Sequence, residues 1–300
     1  MTTNSAASVR ARLANLIATR GGDFQTLLDE YANERLLCRL ARSPHADQFV
    51  LKGATLFTIW TGKPHRATKD IDLLGYGDAS AEHMEAVFRE VAAIEIPEDG
   101  LVFDPSSVRS ESIRKEIHYG GIRILIRGKL ANARLNMQVD VGFGDSVLPA
   151  PERTTVPCLL AGLPVTAMRA YPREVAIAEK YAAMATLGIT NSRMKDFYDV
   201  WYLAMTFAFD GDRLAAAIRA TFQRRETPLP SEPPVALTQE FAADAGKAVQ
   251  WQAFARKARV SGSVSLDDVV KVNMEFLWPV GSAHAPVLGA AWPAGGPWSE

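Results

Sequence analysis

Two aspartates separated by one residue, Asp70 and Asp72, have the types and spacing needed for metal chemistry. They lie in an apolar stretch of strand character, and alternate side chains of a strand share a face, so both carboxylates project the same way. Such a pair repels unless a cation lies between its members. Hard divalent ions, Mg²⁺ above all, take one or two carboxylates together with phosphate oxygens. Beside a glycine turn at Gly53, the pattern predicts a triphosphate site; the alternative is a solvated strand face.

Three groups of residues around this pair resemble a known family. They are Lys52-Gly53-Ala54-Thr55 followed by a short helix, Arg66-x-Thr68-x-Asp70-Ile71-Asp72-Leu73, and Arg193-x-Lys195-Asp196-x-x-Asp199. In order and spacing they resemble the AbiEii/MenT nucleotidyltransferase toxins, a branch of the polymerase-β-like superfamily. That superfamily usually has Gly-Ser or Gly-Gly at the turn, where this chain has Gly53-Ala54. A hydroxyl contact to phosphate must therefore come from Thr55 or be replaced by backbone N–H groups.

The resemblance implies a set of site residues. The implied nucleotide-binding residues are Lys52, Gly53, Ala54, Thr55, Arg66, Thr68, Lys69, Arg193 and Lys195. The implied catalytic residues are Asp70, Asp72, Asp140, Lys180 and Asp196, of which Asp70, Asp72 and Asp140 would bind Mg²⁺ or Mn²⁺.

The third carboxylate, Asp140, lies in a predicted strand from Leu135 to Asp145. Val139 and Val141 face one way there, so Asp140 faces the other. In the resembled superfamily a metal-binding carboxylate comes from a neighbouring strand, and Asp140 matches it. The implied role is to hold the metal and help to activate the attacking hydroxyl as a general base. Asp145 is the alternative to Asp140 as the third carboxylate. Its other interpretation is a cap of the turn after the strand.

Lys180 lies in a helical stretch from Arg173 to Leu187. The apolar stripe of that helix is formed by Ile177, Tyr181, Met184 and Leu187. Lys180 falls on the same stripe, and a lysine among core-facing residues is uncommon without a partner. A lysine that extends from the edge of the stripe to solvent is the alternative. The resemblance implies a lysine for the nucleotide phosphates in a helix at this place.

Asp196 and Asp199 are three residues apart near the start of the next helix, so they neighbour each other on one side. Complementing the helix dipole is one interpretation of both. The resemblance implies that Arg193 and Lys195 bind the triphosphate while Asp196 orients Lys180 or the base. Both interpretations stay open for Asp199.

A basic stretch lies between Pro105 and Arg134, with seven basic residues against two acidic ones. A hairpin is predicted, turning at Tyr119-Gly120-Gly121, with one strand face buried and the other cationic. A solvated strand face is the alternative for each residue. Because neutralising phosphates is the main sequence-independent source of affinity for nucleic acids, the stretch predicts an RNA-binding track. The residues assigned to this RNA-binding track are Arg109, Arg114, Lys115, Arg123, Arg127 and Lys129.

The elements that must position these residues follow from periodicity. Helices are predicted within residues 8–42, over Ala81 to Ala93, over Leu237 to Lys257 and over Asp267 to Trp278. With the resemblance, the fold class is α/β (α+β): a polymerase-β-like nucleotidyltransferase domain with a mixed sheet, and a helical C-terminal domain. The expected divisions are 1–155, a helical domain contributing nucleotide-binding residues over 156–280, and a tail rich in Gly, Ala and Pro over 281–300. The tail either is disordered or lies across the body.

Composition limits the location and the partners. The 300 residues are 48% hydrophobic and 22% charged, and the net charge is −1, so any RNA contact must come from local patches. Without an apolar signal core or a run of membrane-spanning length, a cytoplasmic protein with no membrane contact is expected. Cys38 and Cys158 are far apart, which argues against a disulfide framework or a zinc site.

The resemblance implies a specific function that does not follow from residue spacing or composition. The protein would be the toxin of a toxin–antitoxin pair, moving a nucleoside monophosphate from a nucleoside triphosphate to the 3′ end of tRNA and blocking aminoacylation. Its partners would be the tRNA acceptor end and a cognate antitoxin, and a monomer is expected. Phosphorylation of Thr68, close to the expected phosphates, would inactivate the enzyme by repelling substrate. A transferase for a protein hydroxyl and a non-catalytic nucleotide- or RNA-binding module are the alternatives.

Overall fold

The computed structural model describes residues 2–62, 69–113, 120–258, 260, 264–285 and 289–299. The chain forms two compact units: unit 1 is Met1–Asp145 with Glu152–Tyr171, and unit 2 is Ser146–Pro151 with Pro172–Glu300. The boundary expected near residue 155 lies after Tyr171, because two further strands extend the sheet of unit 1. No helix in the described ranges is both long and apolar enough to cross a membrane.

Unit 1 is built on a mixed sheet with helices. Its elements are α1 (Thr2–Arg20), α2 (Phe24–Arg42), β1 (Phe49–Lys52), α3 (Thr55–Thr61), β2 (Asp70–Gly75), α4 (Ala81–Ala93), β3 (Leu101–Ile113), β4 (Gly121–Leu130), β5 (Ala133–Phe143), β6 (Glu152–Val156) and β7 (Thr166–Ala170). The seven strands lie in the order β3-β4-β5-β2-β1-β7-β6. The β2/β5 and β1/β7 pairs are parallel and the others are antiparallel. The expected mixed sheet is confirmed.

Alternation along the strands separates an apolar face from a polar one. Ile122, Ile124 and Ile126 of β4 are buried, whereas Arg127 and Lys129, which follow them on the strand, are exposed. Helices α2 and α4 pack against the sheet, which requires an apolar surface there. We call the face that carries Arg127 and Lys129 the polar face.

Helix α2, predicted as a packing helix, brings arginines into the core. Arg39 is 1% exposed and donates from Nη1 to Asp99 Oδ2 at 2.7 Å and from Nη2 to Asp99 Oδ1 at 3.2 Å. It also donates to the carbonyls of Ile94 and Leu101 at 2.9 and 3.0 Å. The buried guanidinium is therefore fully engaged, as burial of a charge requires.

Unit 2 is helical. Its elements are α5 (Arg173–Leu187), α6 (Met194–Thr206), β8 (Phe209–Asp210), α7 (Gly211–Arg224), α8 (Gln239–Ala243), α9 (Ala245–Ala258), α10 (Leu266–Gly281) and β9 (Ala291–Trp292). The single helix predicted over Leu237 to Lys257 is wrong. It is broken at Asp244, whose backbone is extended and whose carboxylate accepts a hydrogen bond from Lys247 N at 2.9 Å. An aspartate that binds this N–H starts a new helix rather than continuing the old one.

The described part of the tail, residues 289–299, packs on unit 2. Trp292 is 1% exposed and its indole donates to Ala204 O at 2.8 Å. The indole of Trp298 donates to Phe276 O at 3.0 Å. Of the two expectations for the tail, lying across the body is the one observed.

Candidate functional site

The carboxylates of β2 lie on the polar face, in register with charged residues of both neighbouring strands. Asp72 is opposite Lys52 of β1 and opposite Asp140 of β5. Asp70 is opposite Gln138. Both aspartates are half-buried while Ile71 between them is buried. Strand alternation thus places Asp70, Asp72 and Asp140 on one face, as predicted.

Gly53 brings the backbone directly against Asp72. Its φ of +75° is in the left-handed region, and a Cβ at this position would lie 2.0 Å from Asp72 Oδ2. No side chain fits in that space, so the turn after β1 requires glycine on two counts. Because Gly53 is itself exposed, the edge of the carboxylate pair next to it is open to a ligand.

Replacing Gly53 with alanine is expected to destabilise the protein by about 1–2 kcal/mol through the backbone alone. It should also displace Asp72 and reduce the activity of this site by about 100-fold, the usual cost of misplacing a reacting group by about 1 Å. The matched control is Gly62→Ala, which has a φ of +68° and nothing within 4 Å of an added Cβ. Urea unfolding and activity measurements compare the two. Equal activities in the two variants would contradict a role for the close approach.

Asp140 is engaged by a residue that was predicted to bind RNA. Arg123 Nε donates to Asp140 Oδ1 and Arg123 Nη2 to Asp140 Oδ2, both at 2.9 Å. Hydrogen bonding to Asp140 raises the pKa of Arg123, although burial opposes the rise. Such a two-point pair is among the stronger ionic contacts in proteins. Arg123 is therefore not an unpaired cation for RNA, and Asp140 carries a neutralising partner.

The metal-binding capacity of the site is that of a carboxylate pair. Among the described residues no group of three or more His, Cys, Asp or Glu side chains is arranged to hold a metal ion. Asp70 and Asp72 fit a hard divalent ion, because Mg²⁺ takes one or two carboxylates and completes its shell with water and phosphate. Asp140 as a third ligand stays a prediction.

The residues of the glycine turn have different surroundings. Lys52 donates from Nζ to Asp145 Oδ2 at 2.6 Å and lies 5.6 Å from the Tyr171 ring centroid. Asp145 is thus an ionic partner rather than only a turn cap. Ala54 is buried, so it offers no surface to phosphate. Thr55 lines a cleft of about 140 Å³ beside α2 and residues 156–159.

Unit 2 holds the second group of predicted site residues. Lys180 Nζ donates to Asp196 Oδ1 at 2.6 Å and to Asp199 Oδ2 at 2.9 Å. Burial alone would lower the pKa of Lys180, but the two carboxylates outweigh burial and raise it above its ordinary value. Lys180 therefore stays protonated at neutral pH and acts as a fixed positive charge rather than as a proton acceptor.

The contact predicted between Asp196 and Lys180 is present, and Asp199 joins it. Asp199 is fully buried, so its role in holding the lysine is structural at least. The i, i+3 spacing of the two aspartates, together with a lysine on an apolar stripe, was the signal for this group. Arg193 and Lys195, which precede or flank Asp196, are exposed.

The start of α6 is anchored by Asn191 and by Lys247, of which sequence reasoning missed Lys247. Asn191 is fully buried and its Oδ1 accepts a hydrogen bond from Arg193 N at 2.9 Å. Its carbonyl accepts a hydrogen bond from the buried Lys247 Nζ at 3.0 Å. These contacts position the turn that carries Asp196, and no sequence spacing links residue 191 to residue 247.

The other predicted residues are placed as follows. Lys69 is exposed, and its carbonyl accepts a hydrogen bond from Asn33 Nδ2 at 3.3 Å. Arg109, Arg127 and Lys129 are exposed on the polar face. Arg66, Thr68, Arg114 and Lys115 lie outside the described residues.

Comparison with known proteins identifies the family to which this chain belongs. A mixed α/β unit with an Asp-x-Asp strand beside a glycine turn, and a helical unit, fit the architecture of a nucleotidyltransferase. The model of the family described as "Nucleotidyl transferase AbiEii toxin, Type IV TA system" matches residues 35–272. This chain belongs to the AbiEii family, whose toxin–antitoxin character implies an antitoxin partner.

Two solved structures from Helicobacter pylori are similar to this chain. JHP933 is 14% identical, with 86% of this chain and 92% of that chain covered and a TM-score of 0.44. A candidate nucleotidyltransferase is 15% identical, with 87% and 96% covered and a TM-score of 0.47. None of the curated proteins matches this chain.

Proposed function

We propose that this protein transfers a nucleoside monophosphate from a nucleoside triphosphate to the 3′ end of tRNA, and so blocks aminoacylation and translation. The observation that carries the proposal is the pair Asp70 and Asp72 on one strand face, with the backbone of Gly53 against Asp72. A carboxylate pair beside an open glycine turn suits the charge of a triphosphate with its cation.

In this proposal unit 1 supplies the reaction centre. Asp70 and Asp72 would hold Mg²⁺ or Mn²⁺, which would polarise the phosphoryl oxygens. Asp140, oriented by its two-point contact with Arg123, lies in register with Asp72 on the next strand. It serves the acceptor hydroxyl as a proton acceptor, because a carboxylate within reach of a hydroxyl can take its proton.

Unit 2 supplies fixed positive charge for the nucleotide. Lys180 is held by two carboxylates in a single position, which lowers the entropy lost when it meets a phosphate. Arg193 and Lys195 are exposed and available to the triphosphate. Asp196 acts through Lys180, whose position it helps to fix. We further propose that the protein acts in the cytoplasm, as a monomer when free of its antitoxin.

The RNA would be held on the polar face of β3 and β4. Arg109, Arg127 and Lys129 are exposed there, and Arg134 lies opposite Lys129 on β5. In the described part of the chain, Arg127 has a distant acidic neighbour, with 3.9 Å between its Nη2 and Asp104 Oδ2. Exposed cations on a strand face can follow a phosphate backbone without reading its sequence.

Replacing Arg127 and Lys129 together with glutamine is expected to weaken tRNA binding and to flatten its salt dependence. Two lost phosphate contacts reduce the slope of log K against log salt by about 1.8. The control is Arg10→Gln with Arg42→Gln, two exposed arginines on α1 and α2 that change the net charge equally. Binding titrations at several salt concentrations test this. The same change of slope in both double variants would contradict a local track.

The experiment that tests the function is direct. The purified protein is incubated with Mg²⁺, total tRNA and each labelled nucleoside triphosphate in turn, with and without EDTA. Label in the 3′-terminal nucleotide of tRNA, lost with EDTA, is the expected result and also names the preferred base. Label on protein instead of tRNA would replace the acceptor by a protein hydroxyl. Absence of label on both would indicate a binding module.

A further inference from the structure

Five aromatic side chains of unit 2 form a cluster between helices α6 and α9. We call Tyr198, Trp201, Tyr202, Trp251 and Phe254 the aromatic cluster. The Tyr198 ring lies at its centre, stacked on Trp201 at 5.5 Å with an interplanar angle of 26°. Its distances to Phe254, Tyr202 and Trp251 are 5.7, 6.3 and 6.4 Å. These spacings are those of favourable aromatic pairs, so the rings support one another.

The cluster has an inner and an outer layer. Tyr198 and Trp251 are 8% and 5% exposed, and the Trp251 indole donates to Val264 O at 3.1 Å. Trp201, Tyr202 and Phe254 are half-buried. The inner rings are thus ordinary core, while the three outer rings keep part of their surface in solvent. A rigid, partly exposed aromatic surface is the usual platform for stacking a base.

The surroundings of the cluster are cationic. Helix α9 has no acidic residue, and its last turn carries Arg256 and Lys257, both exposed. Lys195 is exposed on α6, one helical turn before Tyr198. The two aspartates of α6 share one cation, Lys180, so these three groups together carry a formal charge of −1, which the exposed cations outnumber. Aromatic rings and arginine are also common at protein interfaces, but lysine is depleted there, so the two lysines favour a nucleic acid over a protein.

The cluster is close to the candidate nucleotide residues along a single helix. Asp196 and Trp201 are five residues apart on α6, a rise of about 7.5 Å. Asp199, which holds Lys180, is the neighbour of Tyr198 in sequence and lies within the same turn. Asp199 and Trp201 project from opposite sides of α6, so a base stacked on Trp201 would lie across the helix from Lys180, about one helix diameter of 10–12 Å away.

We propose that the aromatic cluster binds the unpaired bases at the 3′ end of the RNA acceptor, with Arg256 and Lys257 contacting the adjoining phosphates. This inference rests on the proposed function for the identity of the acceptor. Single-stranded RNA ends can present their base faces to aromatic side chains, whereas bases inside a helix cannot. The site binds and positions substrate and takes no part in bond making.

The test is binding of a fluorescent single-stranded RNA of about eight nucleotides that ends in CCA, a length within the usual size of such sites. Anisotropy is measured on the full chain with Mg²⁺ and without nucleotide. Trp201→Leu is expected to weaken binding at least about fivefold, the effect of losing one stacked base. Trp201→Phe should keep the affinity within about twofold, because it retains a ring for stacking.

The matched control is Trp298→Leu. Trp298 is also half-buried, belongs to the same unit and stacks on Phe276 at 5.7 Å, but it lies outside the aromatic cluster. Its loss should leave RNA affinity unchanged. Equal weakening by Trp201→Leu and Trp298→Leu, or equal weakening by Trp201→Leu and Trp201→Phe, would overturn the proposal. A thermal melt of each variant identifies loss of folding.

Two further binding measurements test whether the aromatic cluster binds an unpaired RNA base, a paired RNA base or the base of the nucleoside triphosphate. A duplex RNA of the same length should be unaffected by Trp201→Leu, since its bases are paired. Binding of a labelled nucleoside triphosphate should also be unaffected; a loss there with unchanged RNA affinity would mean that the cluster holds the nucleotide, which overturns the proposal. The assay measures RNA binding and not nucleotide transfer. If the wild-type protein bound RNA through Trp201 but transferred no nucleotide, the proposed function would be refuted, whereas RNA binding by the aromatic cluster would still be supported.

Discussion

Replacing Asp70 with asparagine is expected to lower nucleotide transfer at least about 100-fold while leaving the fold intact. The substitution keeps the size and polarity of the side chain but removes one of two negative charges on the β2 face. If the pair holds a divalent ion, that charge contributes several kcal/mol to the transition state, and each 1.36 kcal/mol is a factor of about ten in rate. The half-buried position tolerates an amide, so stability should change by less than about 1 kcal/mol.

The control for Asp70→Asn is Asp78→Asn. Asp78 is an exposed aspartate beyond the end of the same strand, and its Oδ1 accepts a hydrogen bond from Ser80 N at 2.8 Å. Asparagine can accept that bond equally well, so activity should be unchanged. Transfer rates are measured at saturating Mg²⁺ and nucleotide with single-turnover kinetics. If Asp70→Asn retained more than about a tenth of the wild-type rate, the carboxylate pair would not be the reaction centre.

Replacing Lys180 with methionine is expected to produce the largest loss of stability, about 3–5 kcal/mol. Lys180 is the hydrogen-bonded cation between Asp196 and Asp199, and Asp199 is fully buried. Breaking a buried ion pair by removing one partner leaves an uncompensated charge, which is costly. Urea unfolding followed by tryptophan fluorescence reports on this unit, because five of the six tryptophans lie in unit 2. Transfer activity should fall as well.

The pH dependence of the stability that is lost in Lys180→Met provides an independent check. Without the lysine, burial should disfavour the charged form of the Asp199 carboxylate in the folded variant relative to the unfolded chain. The folded state then binds more protons between the unfolded and the folded pKa, and stability decreases as pH rises through that window. The deficit should therefore be larger at about pH 7.5 than at about pH 5.

Lys195→Met is the matched control, because it makes the same substitution at an exposed position of α6. Its effect on stability should lie within about 0.5 kcal/mol. A deficit for Lys180→Met that is no larger than that of Lys195→Met, or one that does not depend on pH, would show that the three-residue group is not held by charge.

Local pattern was sufficient for much of the fold. Helix α4 begins and ends where the periodicity placed it, at Ala81 and Ala93. The two aspartates of β2 share a face because strand alternation depends only on sequence spacing. The helix predicted over Leu237 to Lys257 failed because a single hydrogen bond from Lys247 N to the Asp244 carboxylate outweighs helical propensity at the break.

The sequence by itself determined the kind of chemistry: a carboxylate pair, a glycine turn and a lysine on an apolar stripe. Tertiary structure alone decided which charges meet. The antiparallel register of β4 and β5 joins Arg123 to Asp140 and so changes the expected role of both. Fold topology likewise buries Arg39 against Asp99, 60 residues away. Spacing can assign a residue to a face because strand and helix geometry are local, but partners distant in sequence are chosen by packing, which involves the whole chain.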